Sequence, residues 1–484
     1  MLLGLDIGTQ SLKAVILDDS LNLVGEGARA YSPFFPGPDQ AEQDPGLWEQ
    51  ALGPAIADAL TGAQANAADV RAIGIAGQLD GCVPVTCNGD PIGNCLIWMD
   101  RRASRAMPAI DRGTLHSVTG IVADPSHLAA KARWVKANMS DSESIALFHQ
   151  PVSYMVERLT GGRVIDHALA STSMAYGLKS RAYEPSLLEL FGLDARELPP
   201  IAEADQCAEK LNKRGSELTG LPEGIAVAVG TGDDFSAPLG AGLLDFDSVS
   251  VAIGTGEVVG SLFGTPALDS HFLVETHAYP AGNYFVENPG WWAGGAVKWL
   301  MDVLGIADYL EFEKLALAAP PGSEGLIFLP SLTGAMAPEW DAGARGCFYG
   351  LTARHGREHF VRALLEGCSF AMRDVVERLV TMGARPKSVN IIAGGSRSSI
   401  WAQIRADVLN LPVATARYPH TSPIGAALLG GVAASRIDSL ADACKSLPKP
   451  ARSIEPCAAS SRVLDESHHH YRSLFAALKP VFGS

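Results

Sequence analysis

The segment Leu2-Leu3-Gly4-Leu5-Asp6-Ile7-Gly8-Thr9-Gln10-Ser11-Leu12-Lys13-Ala14-Val15-Ile16-Leu17 opens the chain and decides how the rest is read. Two apolar runs flank a polar, glycine-containing turn, which is the pattern of a buried hairpin. Leu2 to Asp6 forms one strand, Gly8-Thr9-Gln10 the turn, and Leu12 to Leu17 the return strand, ending at Asp18-Asp19. A third strand is expected over Leu21 to Gly27. Asp44 then caps a helix with Pro45 at its first position, running to about Leu60. Val70 to Ala76 reads as a short buried strand that delivers the loop Gly77-Gln78-Leu79-Asp80-Gly81, where chemistry is expected.

The same plan recurs halfway along. Ile225 to Val229 leads into Gly230-Thr231-Gly232-Asp233-Asp234, and Ser248 to Ile253 turns through Gly254-Thr255-Gly256 into Val258 to Leu262. Two strand–Gly-Thr–strand hairpins so far apart predict a duplicated α/β domain. The boundary is placed near Gly240–Leu244, giving domains 1–242 and 243–484. Val389 to Ala393 is a strand, Gly394-Gly395-Ser396 a turn, Ser399 to Leu409 a helix, and Ile424 to Ala434 a packed helix. Leu447 to Pro456 reads as a surface crossing before the last helix.

Composition narrows the partners. Of 484 residues, 38 are Lys or Arg and 53 are Asp or Glu, a net charge of −15 that repels nucleic acid and anionic membranes. The N-terminal apolar run is cut off by Asp6 with no basic leader, and no apolar run reaches the roughly 18 residues of a membrane span, so a cytoplasmic protein is expected. The eight cysteines contain no C-x-x-C pair, which argues for reduced thiols and against a cysteine metal site. The remaining histidines show no zinc-ligand spacing. His468-His469-His470 reads as an exposed helical turn, and Glu366 and Asp374 as solvated helix faces. Oligomeric state is open, with a homodimer allowed.

The chemistry starts from the two Gly-Thr turns. Facing each other across a cleft, they would present amides and hydroxyls to phosphate oxygens. Either one alone is weak, because most such pairs are ordinary hairpin turns. Asp6 beside those phosphates would repel them unless it held Mg²⁺, directly or through water. Alternation puts Lys13 on the same face as Thr9 and Ser11.

Leu5-Asp6-Ile7-Gly8-Thr9-Gln10-Ser11-Leu12-Lys13 resembles the opening phosphate loop of the FGGY carbohydrate kinases, within the actin/hexokinase/Hsp70 superfamily of ribonuclease H-like folds. The resemblance continues, in family order, through Glu42-Gln43-Asp44-Pro45, Gly74 to Gln78, Trp98 to Arg102, Gly232-Asp233 and Gly254-Thr255. It extends over Gly294-Gly295-Ala296 to Leu300, Gly346 to Leu351, Gly394-Gly395-Ser396 and Pro423 to Ala427, with spacing closest to the xylulokinase branch. It implies ATP-dependent, Mg²⁺-assisted phosphorylation of a hydroxyl of a small sugar or polyol. Asp233 would be the base; Gly8, Thr9, Gln10, Ser11, Lys13, Gly254 and Thr255 would hold phosphates. Gly294, Gly295, Gly394, Gly395 and Ser396 would line the nucleotide, while Trp299 would be core packing. The substrate would contact Gln78, Leu79, Asp80, Trp98, Asp233 and Asp234.

Departures concern the substrate. Leu79-Asp80 stands where xylulokinases carry Met-His, and Asp234 where Asn is common; Asp80 is similar to the acidic residue of glycerol kinases. Acceptor-only carboxylates suit a polyhydroxylated, uncharged ligand. The resemblance to the xylulokinase branch implies a ketopentose such as D-xylulose, with a glycerol- or erythritol-like polyol as the alternative. Gly256-Glu257 replaces a further hydroxyl in the second phosphate loop. A chaperone- or filament-type switch would need peptide-binding or assembly features that the chain does not show. A non-catalytic sugar sensor would have no need of Asp233.

Overall fold

The computed structural model describes residues 1–483, which form two mixed seven-stranded sheets of one plan. In the first, Leu2–Ile7 lies between its hairpin partner Ser11–Leu17 and the parallel strand Ala72–Gly77. Leu23–Ala30 extends the hairpin side. On the other side Ala226–Ala228 is parallel to Ala72–Gly77, and Cys207–Lys210 closes the edge antiparallel. In the second sheet Ser248–Ile253 takes the central place, with Glu257–Phe263 as hairpin partner and Ser388–Ile392 parallel on its other side. Tyr284–Trp291, Val413–Thr415 and an antiparallel Arg452–Ile454 complete the match, and Glu275–Ala278 adds an outer strand. The repeat of order and direction bears out the duplication seen in the two Gly-Thr hairpins.

Local chemistry sets the elements. Asp44 accepts a hydrogen bond from Gly46 N at 2.8 Å, and the helix it caps, Pro45–Gly62, starts with proline where no amide partner exists. The central strands are apolar on both faces because helices cover both; Leu2–Ile7 and Ala72–Gly77 are buried at every position.

The helix Thr421–Ala433 is drawn from the end of the chain yet lies across the first sheet. Gly4 and Gly74 make this fit: a Cβ on Gly4 would stand 1.8 Å from Pro423 O, and one on Gly74 1.6 Å from Ala426 O. The same helix meets Asp233–Gly240 backbone to backbone, where a Cβ on Gly425 would stand 2.0 Å from Ser236 O, and Ser236 Oγ donates to Ser422 O at 2.7 Å.

Several expectations are corrected. The third strand is Leu23–Ala30, two residues later than its apolar start suggests and longer. The Pro-rich crossing contains the edge strand Arg452–Ile454. Glu366 and Asp374 are buried, because their helix, Arg357–Thr381, is covered on both sides. Glu366 pairs with Arg362 at 2.8 Å, and Asp374 accepts from His468 Nε2 at 3.0 Å. His468 is therefore buried and only His469 and His470 face solvent, within a helix spanning Ala458–Leu478.

Candidate active site

Asp6 and the carboxylates at 233 and 234 meet at the ends of two strands that flank Ala72–Gly77 on opposite sides. Asp6 stands beside Ala76 on one side of the Ala72–Gly77 strand, and Thr231 stands beside Ala76 on the other. Two strand spacings, about 9–10 Å, separate these backbones. The helix Asp233–Gly240 begins immediately after Thr231-Gly232, so its first two carboxylates sit where its free amides point, and Asp233 Oδ1 accepts from Asp234 N at 3.2 Å.

Asp6 is buried, with Oδ2 3.3 Å from Lys13 Nζ, its partner in the hairpin register. Its Oδ1 is buried without a hydrogen-bond partner. The Gly8–Gln10 turn is braced from behind: Tyr31 OH donates to Gly8 O at 2.8 Å and Gln43 Nε2 donates to Thr9 O. Trp98 Nε1 donates to Thr9 Oγ1 at 3.0 Å, leaving the indole half exposed. Gln78 is buried; its Nε2 donates to Gln43 Oε1 at 2.7 Å, so it supports this turn rather than opening onto solvent. Leu79 packs into the core, with Cγ 2.9 Å from where a Cβ on Gly232 would be.

Asp80 is held in a left-handed conformation, φ 58°, which a non-glycine residue keeps only under local constraint. The constraint is visible: Asp80 N donates to Gln150 Oε1 at 2.9 Å, and Lys131 Nζ donates to Asp80 O at 2.7 Å. His127 Nδ1 lies 3.1 Å from Asp80 Oδ2, which leaves Oδ1 buried and unpaired. Burial would lower the pKa of His127, but the carboxylates of Asp80, Glu275 and Asp124 outweigh it and raise it to about 9. His127 is thus a cation at neutral pH that fixes one oxygen of Asp80.

The carboxylates strain one another. Burial, then the charges of Asp234 and Asp6, push Asp233 well above the usual range, with Lys13 opposing. Burial, then Asp80 and Asp6, raise Asp234 to about 6. Because the folded pKa of Asp234 exceeds its ordinary value, its ionisation opposes folding as pH rises through that window, and below pH 4 the cost vanishes. Replacing Asp234 with Asn should therefore raise the melting temperature by about 2–4 °C at pH 7.5, with the gain shrinking as pH falls towards 4; thermal melts across pH check it. A gain that grew on acidification would contradict the assignment.

On the second sheet, Gly254 and Thr255 form an exposed turn, and Gly394-Gly395-Ser396 follows the neighbouring parallel strand on the same edge. Gly294 and Gly295 stand against that turn: Gly295 N donates to Thr255 O at 2.9 Å, and a Cβ on Gly294 would lie 2.0 Å from Gly254 O. The Ser396 hydroxyl turns inward to Ala393 O at 2.7 Å. Glu257 makes a fully buried two-point pair with Arg405, at 2.7 and 2.5 Å, which ties the Gly254–Gly256 turn to the helix Ser399–Leu409. Gln10 is exposed, Ser11 half-buried, and Trp299 packs partly buried against the core.

Sequence reasoning missed His127, Lys131, Glu275, His277 and Glu287. Only Glu275-Thr276-His277, with titratable side chains at alternate positions of a strand, carried a local signal. Among the described residues no group of three or more His, Cys, Asp or Glu is arranged to hold a metal, so a cation at Asp6 would take its other ligands from outside the protein. No helix among them is long and apolar enough to cross a membrane.

Residues 1–240 match the FGGY family of carbohydrate kinases, N-terminal domain, and residues 249–434 its C-terminal domain. A glycerol kinase of Thermococcus onnurineus is 31% identical, covering 100% of this chain and 98% of the relative. A xyloylose kinase from Brucella ovis superposes with a TM-score of 0.91 at 28% identity over 99% of both chains. A xylulose kinase from Rhodospirillum rubrum gives 0.91 at 27% identity over 100% of both.

Proposed function

Because the chain belongs to the FGGY family of carbohydrate kinases, an ATP-dependent sugar or polyol kinase of the actin/hexokinase/Hsp70 fold, we propose that Asp233 is the base that activates a hydroxyl of a small, uncharged acceptor. The observation that carries this reading is the convergence of Asp6, Lys13, Asp233 and Asp234 at one sheet edge. Phosphoryl transfer from ATP passes through a loose transition state, so charge neutralisation and alignment matter most. Lys13 neutralises the transferring phosphate, and the amides and hydroxyls of Gly8 to Ser11 position it. Thr255 and the Gly254 amide serve the β- and γ-phosphates from the opposite side, with Gly294, Gly295, Gly394, Gly395 and Ser396 walling the nucleotide. The free Oδ1 of Asp6 fits a Mg²⁺ ion, directly or through water, whose charge would offset that of the phosphates. Asp233 accepts the acceptor's proton as its oxygen attacks phosphorus, and a pKa raised by burial and by the neighbouring carboxylates makes it a stronger base than an ordinary aspartate.

For the acceptor we place a ketopentose such as D-xylulose first, supported by the likeness to xylulose kinases. A glycerol- or erythritol-like polyol is the second reading, favoured by the acidic Asp80 and by the glycerol kinase relative. An ADP-release screen over ketopentoses, ketohexoses, tetritols, pentitols and glycerol tests both. One class should raise ADP release about 100-fold or more above the acceptor-free rate. Release that no acceptor stimulates would overturn the reading.

A further inference from the structure

We propose that the acceptor pocket continues onto the second sheet, where His277 and Glu287 bind a group remote from the phosphorylated hydroxyl, so that the substrate is an uncharged chain of four or more oxygen-bearing carbons. This rests on the kinase reading and names its substrate class. Glu275 and His277 lie on one face of the strand Glu275–Ala278, and Glu287 stands opposite Glu275 in the antiparallel register. All three are at most 5% exposed. His277 Nε2 lies 3.4 Å from Glu287 Oε1, and its ring packs 5.5 Å from that of Phe235, the residue after Asp234. This face of the second sheet therefore abuts the helix start that carries Asp233.

Burying such groups is costly unless their hydrogen bonds are met, and here they are not. His277 Nδ1, Glu287 Oε2 and Asp80 Oδ1 are each buried without a partner. Glu275 differs: its Oε1 accepts from Val122 N at 2.7 Å, which marks it as structural. The charge state narrows the ligand. Burial, only partly opposed by Asp80, holds His277 down to about 3, and burial followed by Asp234, Glu275, Asp233 and Asp80 pushes Glu287 well up. His277 is therefore uncharged and Glu287 is biased towards its protonated form, so with their two unpartnered atoms they match a hydroxyl or a carbonyl oxygen rather than a cation or an anion. Glycerol has three hydroxyls: one must face Asp233, and Asp80 and Asp234 use the other two. His277 and Glu287 need oxygen atoms further along the chain.

The test compares wild type with His277→Phe, which keeps the ring against Phe235, and with Glu287→Met, which keeps the unbranched length but neither donates nor accepts as a carboxyl does. Steady-state kinetics are run with D-xylulose, erythritol and glycerol, and thermal melts verify folding. Wild type should favour a longer acceptor, and each variant should raise its KM about tenfold, the size of one lost hydrogen bond in a dry pocket. The KM values for ATP and glycerol should move by less than about twofold. A wild-type preference for glycerol, equal effects on all acceptors, or no effect would overturn the proposal and leave the kinase reading standing. If one variant fails to fold, the other decides. Absence of ADP release with every acceptor would instead remove the kinase reading and this proposal with it.

Discussion

Replacing Asp233 with Asn should lower turnover by about 10²–10⁴-fold, the range that a positioned general base supplies. The change is nearly isosteric, and an amide oxygen can still accept from Asp234 N as the carboxylate does at 3.2 Å. It also removes one charge from a crowded set that includes Asp234 and Asp6, so the variant should melt no lower than the parent. ATP affinity should stay within about twofold, since no proton is transferred on binding. ADP release with the preferred acceptor, together with calorimetric ATP titration, separates these effects. Retained turnover would mean that the proton leaves by another route; lost ATP binding would mean that Asp233 orders the nucleotide instead.

Gly74→Val should abolish folding. Any Cβ at this position would stand 1.6 Å from Ala426 O and 2.4 Å from Ala426 C, atoms of a helix backbone that cannot rotate aside. The helix would have to withdraw, uncovering the apolar centre of the first sheet, a loss of more than about 4 kcal/mol. Soluble yield and the urea midpoint report it. Gly62→Ala is the control. It sits in the Pro45–Gly62 helix with its closest added contact at 3.5 Å, and should gain up to about 1 kcal/mol. Equal behaviour of the two variants would show that the close helix crossing does not limit stability.

The parts of the fold that follow from local pattern were readable in the chain. The hairpin at Gly8, the Asp44-Pro45 helix start and the Ser399–Leu409 helix all rest on nearest-neighbour chemistry. Glu366, Asp374 and His468 were misjudged because a charged residue on a helix says nothing about a second helix that covers it. The same limit explains His127. A single histidine between Ser126 and Leu128 has no periodicity, and its partner Asp80 lies 47 positions away. His277 reaches the first half through tertiary packing against Phe235, and Glu287 stands beside His277 only because two strands pair. A motif led to Asp6, Lys13 and Asp233 being expected together, and they do lie together; Gln78 was expected in the same loop, and its side chain braces Thr9 through Gln43.

The helix that seals the first sheet also imposes an order of events during synthesis. Gly4 leaves the ribosome long before Pro423, whose carbonyl it must meet and which lies more than 400 positions later in the chain. At ordinary translation speeds the interval is roughly 20–90 s. Throughout it the nascent amino-terminal half carries an unsealed, greasy β-surface, which makes it a natural client for holding factors and an aggregation hazard when ribosomes stall or transcripts are truncated upstream of codon 421.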